Sequence, residues 1–128
     1  MTAVLDASAV LTLLYREPGH DVVAELVDGA VISAVNWSEV VQKLAQRGVP
    51  DPGAVVAGLL ALGAEVMAFG RGDAETAAGL WPAGRACGLS LGDRACLAVA
   101  TAVPAGVAVT ADTAWANVEA GVEIRVIR

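Results

Sequence analysis

The sequence predicts an α/β fold, a three-layer α/β/α sandwich around a mostly parallel five-stranded sheet. Three observations predict it. Short apolar runs of strand length alternate with segments of helical periodicity along the whole chain. Gly or Pro stands at most of the junctions between them. Strict strand-then-helix alternation is the pattern of a parallel sheet covered by helices on both faces. At 128 residues the chain fits one domain, 1–128, with a core that needs neither disulfide nor structural metal.

The first strand is Thr2 to Leu5, an apolar run that ends on Asp6. From Ser8 the period changes, with Val10, Leu11, Leu13 and Leu14 at helical spacing. Arg16-Glu17-Pro18-Gly19 turns the chain into a short second helix with Val22, Val23, Leu26 and Val27 inward, and Gly29 stops it. Ala30 to Val35 is the second strand, and Asn36 opens an amphipathic helix to Arg47 as its cap candidate. Asp51-Pro52 starts another helix, carrying Val55, Val56, Leu59, Leu60 and Leu62, before a third strand from Glu65 to Phe69. Residues 73–87 are helical with Leu80 and Trp81 in the core and a break at Gly79 or Pro82. Leu89 to Arg94 leads into a helix over 95–103. Val107 to Thr110 is the fourth strand, a brief helix passes through Trp115 and Val118, and Ile124 to Ile127 closes the sheet.

Hydrophobic residues are 56% of the chain and charged ones 17%, yet the longest uninterrupted apolar and glycine stretch, Val55 to Ala64, falls short of the about 20 residues a membrane span needs. The amino terminus has no basic region and no signal-peptide pattern, so a cytoplasmic protein without membrane attachment is expected. Cys87 and Cys96 form no metal or redox spacing and suit buried apolar positions in a reducing compartment. His20 lies in a turn with no ligand partner nearby.

Four carboxylates recur at one kind of place: Asp6 after the first strand, Glu39 early in a helix, Asp93 at a helix start and Asp112 after the fourth strand. In a parallel sheet the carboxyl ends of the strands share one edge, where ligands bind. Clustered carboxylates repel one another, so a hard, oxygen-preferring cation such as Mg²⁺ or Mn²⁺ is the simplest thing to hold them together. Each acid also has a structural role open to it. Asp6 and Asp112 can cap the helices that follow, Asp93 stands at capping-box spacing from Ser90, and Glu39 is four residues before Lys43, the favourable order for an exposed ion pair.

The formal net charge of −6 argues against a phosphate-binding surface. Setting the four acids aside as metal ligands brings it to −2, and a bound cation itself supplies local positive charge.

Val4-Leu-Asp-Ala-Ser-Ala-Val-Leu11, the stretch Ser33 to Val40, Gly88-Leu-Ser-Leu-Gly-Asp-Arg-Ala-Cys-Leu97 and Thr110-Ala-Asp112 together resemble the PIN-domain family, and more narrowly VapC-type toxins of type II toxin–antitoxin systems. The resemblance covers nearly the whole chain, and Ser90-Leu-Gly-Asp-Arg94 is its most specific piece. It implies a metal-dependent endoribonuclease in which Asp6, Glu39, Asp93 and Asp112 hold one or two Mg²⁺ or Mn²⁺ ions, with Ser8, Thr110 and Arg94 orienting the carboxylates or the substrate. It also implies tRNA or rRNA as the target class, a homodimer that gathers Arg residues from two chains, and a cognate antitoxin whose basic side chain blocks the acidic pocket. Val10, Leu14 and the helices around Leu59 are the expected contact surface. Asn117 stands where some relatives carry a further acid, which leaves a one-metal site open.

A receiver domain would need an acidic pair after the first strand and a late lysine, and a haloacid-dehalogenase-like phosphatase an Asp at position 8. The chain has Leu5-Asp6-Ala7, Lys43 alone and Ser8. A catalytically silent PIN domain acting as a binding or regulatory module is the alternative from another class.

Overall fold

The computed structural model describes residues 1–128. Five strands, β1 (Thr2–Leu5), β2 (Val31–Ser33), β3 (Glu65–Met67), β4 (Gly106–Thr110) and β5 (Glu123–Val126), form one sheet in the order β3-β2-β1-β4-β5. All four pairings are parallel, so the carboxyl ends of the strands share one edge. β1 lies between β2 and β4, where the order reverses. That makes the carboxyl ends of β1 and β4 the topological switch point of the sheet.

The helices are α1 (Ala7–Tyr15), α2 (His20–Leu26), α3 (Ala34–Gln46), α4 (Pro52–Ala61), α5 (Arg71–Gly79), α6 (Trp81–Arg85) and α7 (Leu91–Ala102), with a single 3-10 helix at Thr113–Asn117. The two-residue period of the central strands sorts them into two cores. Ala3, Leu5, Ile32, Val107 and Val109 face one cluster with α1 to α4. Val4, Val31 and Ala108 face the other, where Cys96, Leu97 and Val99 of α7 pack with the fully buried Trp115. The sandwich therefore has its three layers, as the alternation predicts.

Local chemistry moves several expected features. β2 is shorter than Ala30–Val35 because the Ser33 side chain accepts from the Val35 amide at 3.1 Å and starts α3 at Ala34. Asn36, expected as the cap, is instead buried in the first turn. Asp51 stands at the start of α4 in a left-handed conformation with no side-chain cap bond, and Pro52 alone sets the helix entry. Trp81, expected in the core, is 53% exposed. Pro82 starts α6 there, and the Arg85 guanidinium covers the ring at 5.1 Å. Val10 and Leu59, expected as contact surface, are buried, whereas Val55, Leu60 and Leu62 point outward.

No helix is long and apolar enough to cross a membrane.

Candidate active site

Asp6 follows β1 directly and is 2% exposed. Its backbone amide continues the β1–β4 ladder to the Val109 carbonyl, and its carboxylate caps α1 by accepting from the Ala9 amide at 2.8 Å. Ser8 Oγ donates to the same Oδ1 at 2.7 Å, and Thr110 Oγ1, at the end of β4, donates to Oδ2 at 2.6 Å. A carboxylate has about four acceptor sites, so one remains, on Oδ2. No cation pairs with Asp6. Burial pushes its pKa from 3.8 up to about 6; the bonds from Thr110, Ala9 and Ser8 work against that rise, and the nearby Asp93 charge adds to it.

The hydroxyls are themselves fixed. Ser8 Oγ accepts from the Ala111 amide at 2.9 Å and Thr110 Oγ1 from the Asp112 amide at 3.0 Å. The loop leaving β4 is thereby tied to the start of α1, and both hydroxyl protons are directed at Asp6.

Asp93 sits in the first turn of α7. Its Oδ2 accepts from the Ser90 amide at 2.8 Å while Ser90 Oγ accepts from the Asp93 amide at 3.1 Å, a complete capping box that leaves Oδ1 without a protein partner. Glu39 does not pair with Lys43. Its Oε1 accepts from Asn36 Nδ2 at 2.8 Å, and that amide group also donates to the Gly92 carbonyl at 3.0 Å. Asn36 thus ties α3 to the start of α7 and presents Glu39 against Gly92, where a β-carbon would collide with the Glu39 carboxylate. Gly92 is the close approach that lets two acid-bearing helices meet.

Asp6, Asp93 and Glu39 all lie near enough to one buried thiol for their charges to act on it. The Cys96 pKa is raised well above its ordinary value by burial first, and then by these three carboxylates in that order. Asp112 is exposed; its amide donates to the Thr110 hydroxyl that holds Asp6, and its Oδ1 caps the 3-10 helix through the Ala114 amide at 3.0 Å. Arg94 reaches the Ala77 carbonyl at 2.8 Å, joining α7 to α5, and its Nε is buried without a partner.

No three His, Cys, Asp or Glu side chains stand close enough to hold one ion as a complete ligand set. The donors present nonetheless suit a hard divalent cation. They are all oxygens, Asp6 is buried with no counter-charge, and the buried Asn36 Oδ1 has no hydrogen-bond partner. Mg²⁺ commonly needs only one or two carboxylates beside waters and substrate phosphate. Asn36 and Gly92 are the site residues that sequence reasoning misses, since a buried Asn in a first helical turn looks like a cap and a glycine inside a motif looks like a turn.

A sequence profile described as the PIN domain matches residues 3–121. No curated protein sequence matches significantly. Among solved structures, VapBC2 from Rickettsia felis bound to a DNA fragment from its promoter is similar at 13% identity and a TM-score of 0.75, covering 100% of each chain. PAE2754 from Pyrobaculum aerophilum is similar at 21% identity and a TM-score of 0.59, covering 97% of this chain and 83% of that one. At these identities the likeness is one of fold.

Proposed function

The chain belongs to the PIN domain family, and on that premise we propose that it is a metal-dependent endoribonuclease, the toxin of a toxin–antitoxin pair. The observation that carries the reading is the buried, unpaired Asp6 carboxylate at the switch point, with Asp93 and Glu39 beside it. The fold likeness to a structure named for VapBC2 supports the toxin assignment.

Asp6 would hold Mg²⁺ or Mn²⁺ through the free site on Oδ2, with Asp93, Glu39 and Asp112 contributing directly or through the ion's waters. When bound, such an ion lowers the pKa of a water and offsets charge on a phosphodiester. Thr110 and Ser8 keep the Asp6 carboxylate oriented and spend their protons on it, so its negative charge is directed at the site opening. Asn36 does the same for Glu39, and the capping box for Asp93. Arg94 serves this reading as a positioning group that fixes α7 behind Asp93. The substrate is RNA, with tRNA or rRNA the expected class, and the setting is the cytoplasm. A homodimer and a cognate antitoxin bringing a basic side chain to the acids complete the proposal.

The test is incubation of total RNA with purified protein, freed of partners, in EDTA, Mg²⁺ or Mn²⁺, beside an Asp93→Asn variant prepared identically. Discrete metal-dependent products absent from the variant are expected. Their absence from folded wild-type protein with every metal would move the assignment to a silent binding module.

A further inference from the structure

The eight cations of the sequence fall in no single run, yet folding brings three of them to one open cleft of about 440 Å³ beside the acids. Lys43 near the end of α3, Arg47 just past it and Arg128 at the chain end line it together with Ser8 and Asp112. Ser8 is the residue whose hydroxyl holds Asp6, so the cleft and the carboxylate site share a boundary.

Not all the charge there is neutralised. Glu17, also on the cleft, faces Arg128 at 3.4 Å, which leaves Lys43 and Arg47 without an ion-pair partner. Arg47 is poised: its guanidinium lies over the Tyr15 ring at 4.5 Å, and no protein acceptor takes its N–H groups. A guanidinium stacked by its face keeps its in-plane N–H fork free for a phosphate, with less side-chain freedom to lose on engaging it. Glu39, Lys43 and Arg47 follow one another at four-residue steps, so one face of α3 runs from the acid site outward along the two free cations.

We infer that this cleft is a phosphate subsite for the RNA strand next to the bond being cut, with Lys43 and Arg47 as its anchors. This rests on the nuclease reading above and deepens it. A second carboxylate-bearing protein segment is the competing occupant. The Arg47 fork suits either anion, but the acid site at the cleft's edge, which demands a strand carrying phosphates on both sides, favours RNA. The overall negative charge is thereby reconciled with a polyanionic substrate: the cations are few but are collected where the strand passes.

The experiment measures anisotropy of a fluorescein-labelled, mixed-sequence single-stranded oligoribonucleotide of twelve residues, in EDTA, against the wild type and a Lys43→Gln/Arg47→Gln variant over a range of salt. Both positions are exposed, so the variant is expected to melt with the wild type. The expected result is at least a tenfold weaker affinity and a salt slope shallower by about 1.4, the value for two single-strand phosphate contacts. An Asp93→Asn variant should bind at least as tightly as the wild type in EDTA and cleave nothing when Mg²⁺ is added, which separates the subsite from the chemistry. If the wild type cleaves RNA but the double variant binds with the same affinity and slope, the subsite is overturned and the nuclease reading stands. Displacement of the RNA by polyglutamate as effectively as by unlabelled RNA of equal charge would also overturn it, in favour of an acidic protein partner. A wild type that neither binds nor cleaves removes both readings.

Discussion

Thr110 Oγ1 donates a 2.6 Å hydrogen bond to Asp6 Oδ2 across the junction of the two central strands. This bond joins residues 104 positions apart and fixes the one buried carboxylate of the chain. The Thr110→Val variant keeps the side-chain shape and removes the donor. Asp6 should then titrate higher still, because this bond is the largest of those opposing its rise. Cleavage should fall about 10- to 100-fold, as loss of a group that orients a ligand does. The acidic limb of the pH–rate profile should move to higher pH, and an unmoved limb would rule out this role.

The Asp6 pKa implies a measurable dependence of stability on pH in metal-free protein. The folded value, about 6, lies above the unfolded 3.8, so between them the folded state binds more protons and stability falls as pH rises. The full loss is about 3 kcal/mol by the upper side of that window. Urea denaturation in EDTA at pH 4, 5 and 7 should show it as a difference between wild type and Asp6→Asn, in which that component is absent. Saturating Mg²⁺ should flatten the wild-type curve, since a bound cation favours the ionised carboxylate.

Asp6→Asn should abolish cleavage and yet leave the metal-free protein at pH 7.5 at least as stable as the wild type. The amide oxygen can still accept from Ala9 and Ser8, and the buried charge is gone. A marked fall in melting temperature in EDTA would show the carboxylate to be needed for the fold.

Gly92→Ala tests the approach of α3 to α7. A β-carbon there meets the Glu39 carboxylate, so Glu39 must swing away and the Asn36 bridge to the Gly92 carbonyl must loosen. Cleavage should drop by at least tenfold with little change in stability, because the group displaced is the far end of a flexible side chain. Gly79→Ala, at a helical position with open space around it, is the control and should gain up to about 1 kcal/mol without touching activity. Equal behaviour of the two variants in both assays would rule out the close-approach account.

The sheet, its strand order of helix and strand, and the edge that carries Asp6 and Thr110 were legible because period and punctuation are local properties of the chain. The expectation that acids gather at that edge came from one topological rule about parallel strands. The rest depended on pairings that sequence spacing does not encode. Lys43 stands at ideal distance for Glu39, yet Asn36 takes that carboxylate, because Gly92 brings a second helix close enough to bury the amide between them. Trp81 has the composition of a core residue, but its position beside Pro82 at a helix junction turns it outward. The caps proposed for Asp6, Asp93 and Asp112 are all present, so for these residues capping and chemistry are not alternatives. The three cations of the cleft come from two distant stretches and had no signature at all.

Two of the three neighbouring acids also belong to the caps that begin helices, Asp6 as the N-cap of α1 and Asp93 as the first-turn partner of Ser90 in the capping box of α7. Helix ends are the first parts of a fold to fray, and fraying there withdraws a carboxylate from the site while the cores beneath remain packed. Warming should therefore silence the protein before it melts: the amides of Ala9 and Asp93 should exchange with solvent deuterium sooner than those of β1 and β4, at temperatures where circular dichroism is still that of the native fold. A cation bridging the two helix starts would slow that exchange at both together, acting as a staple on the ends rather than as a weight on the core.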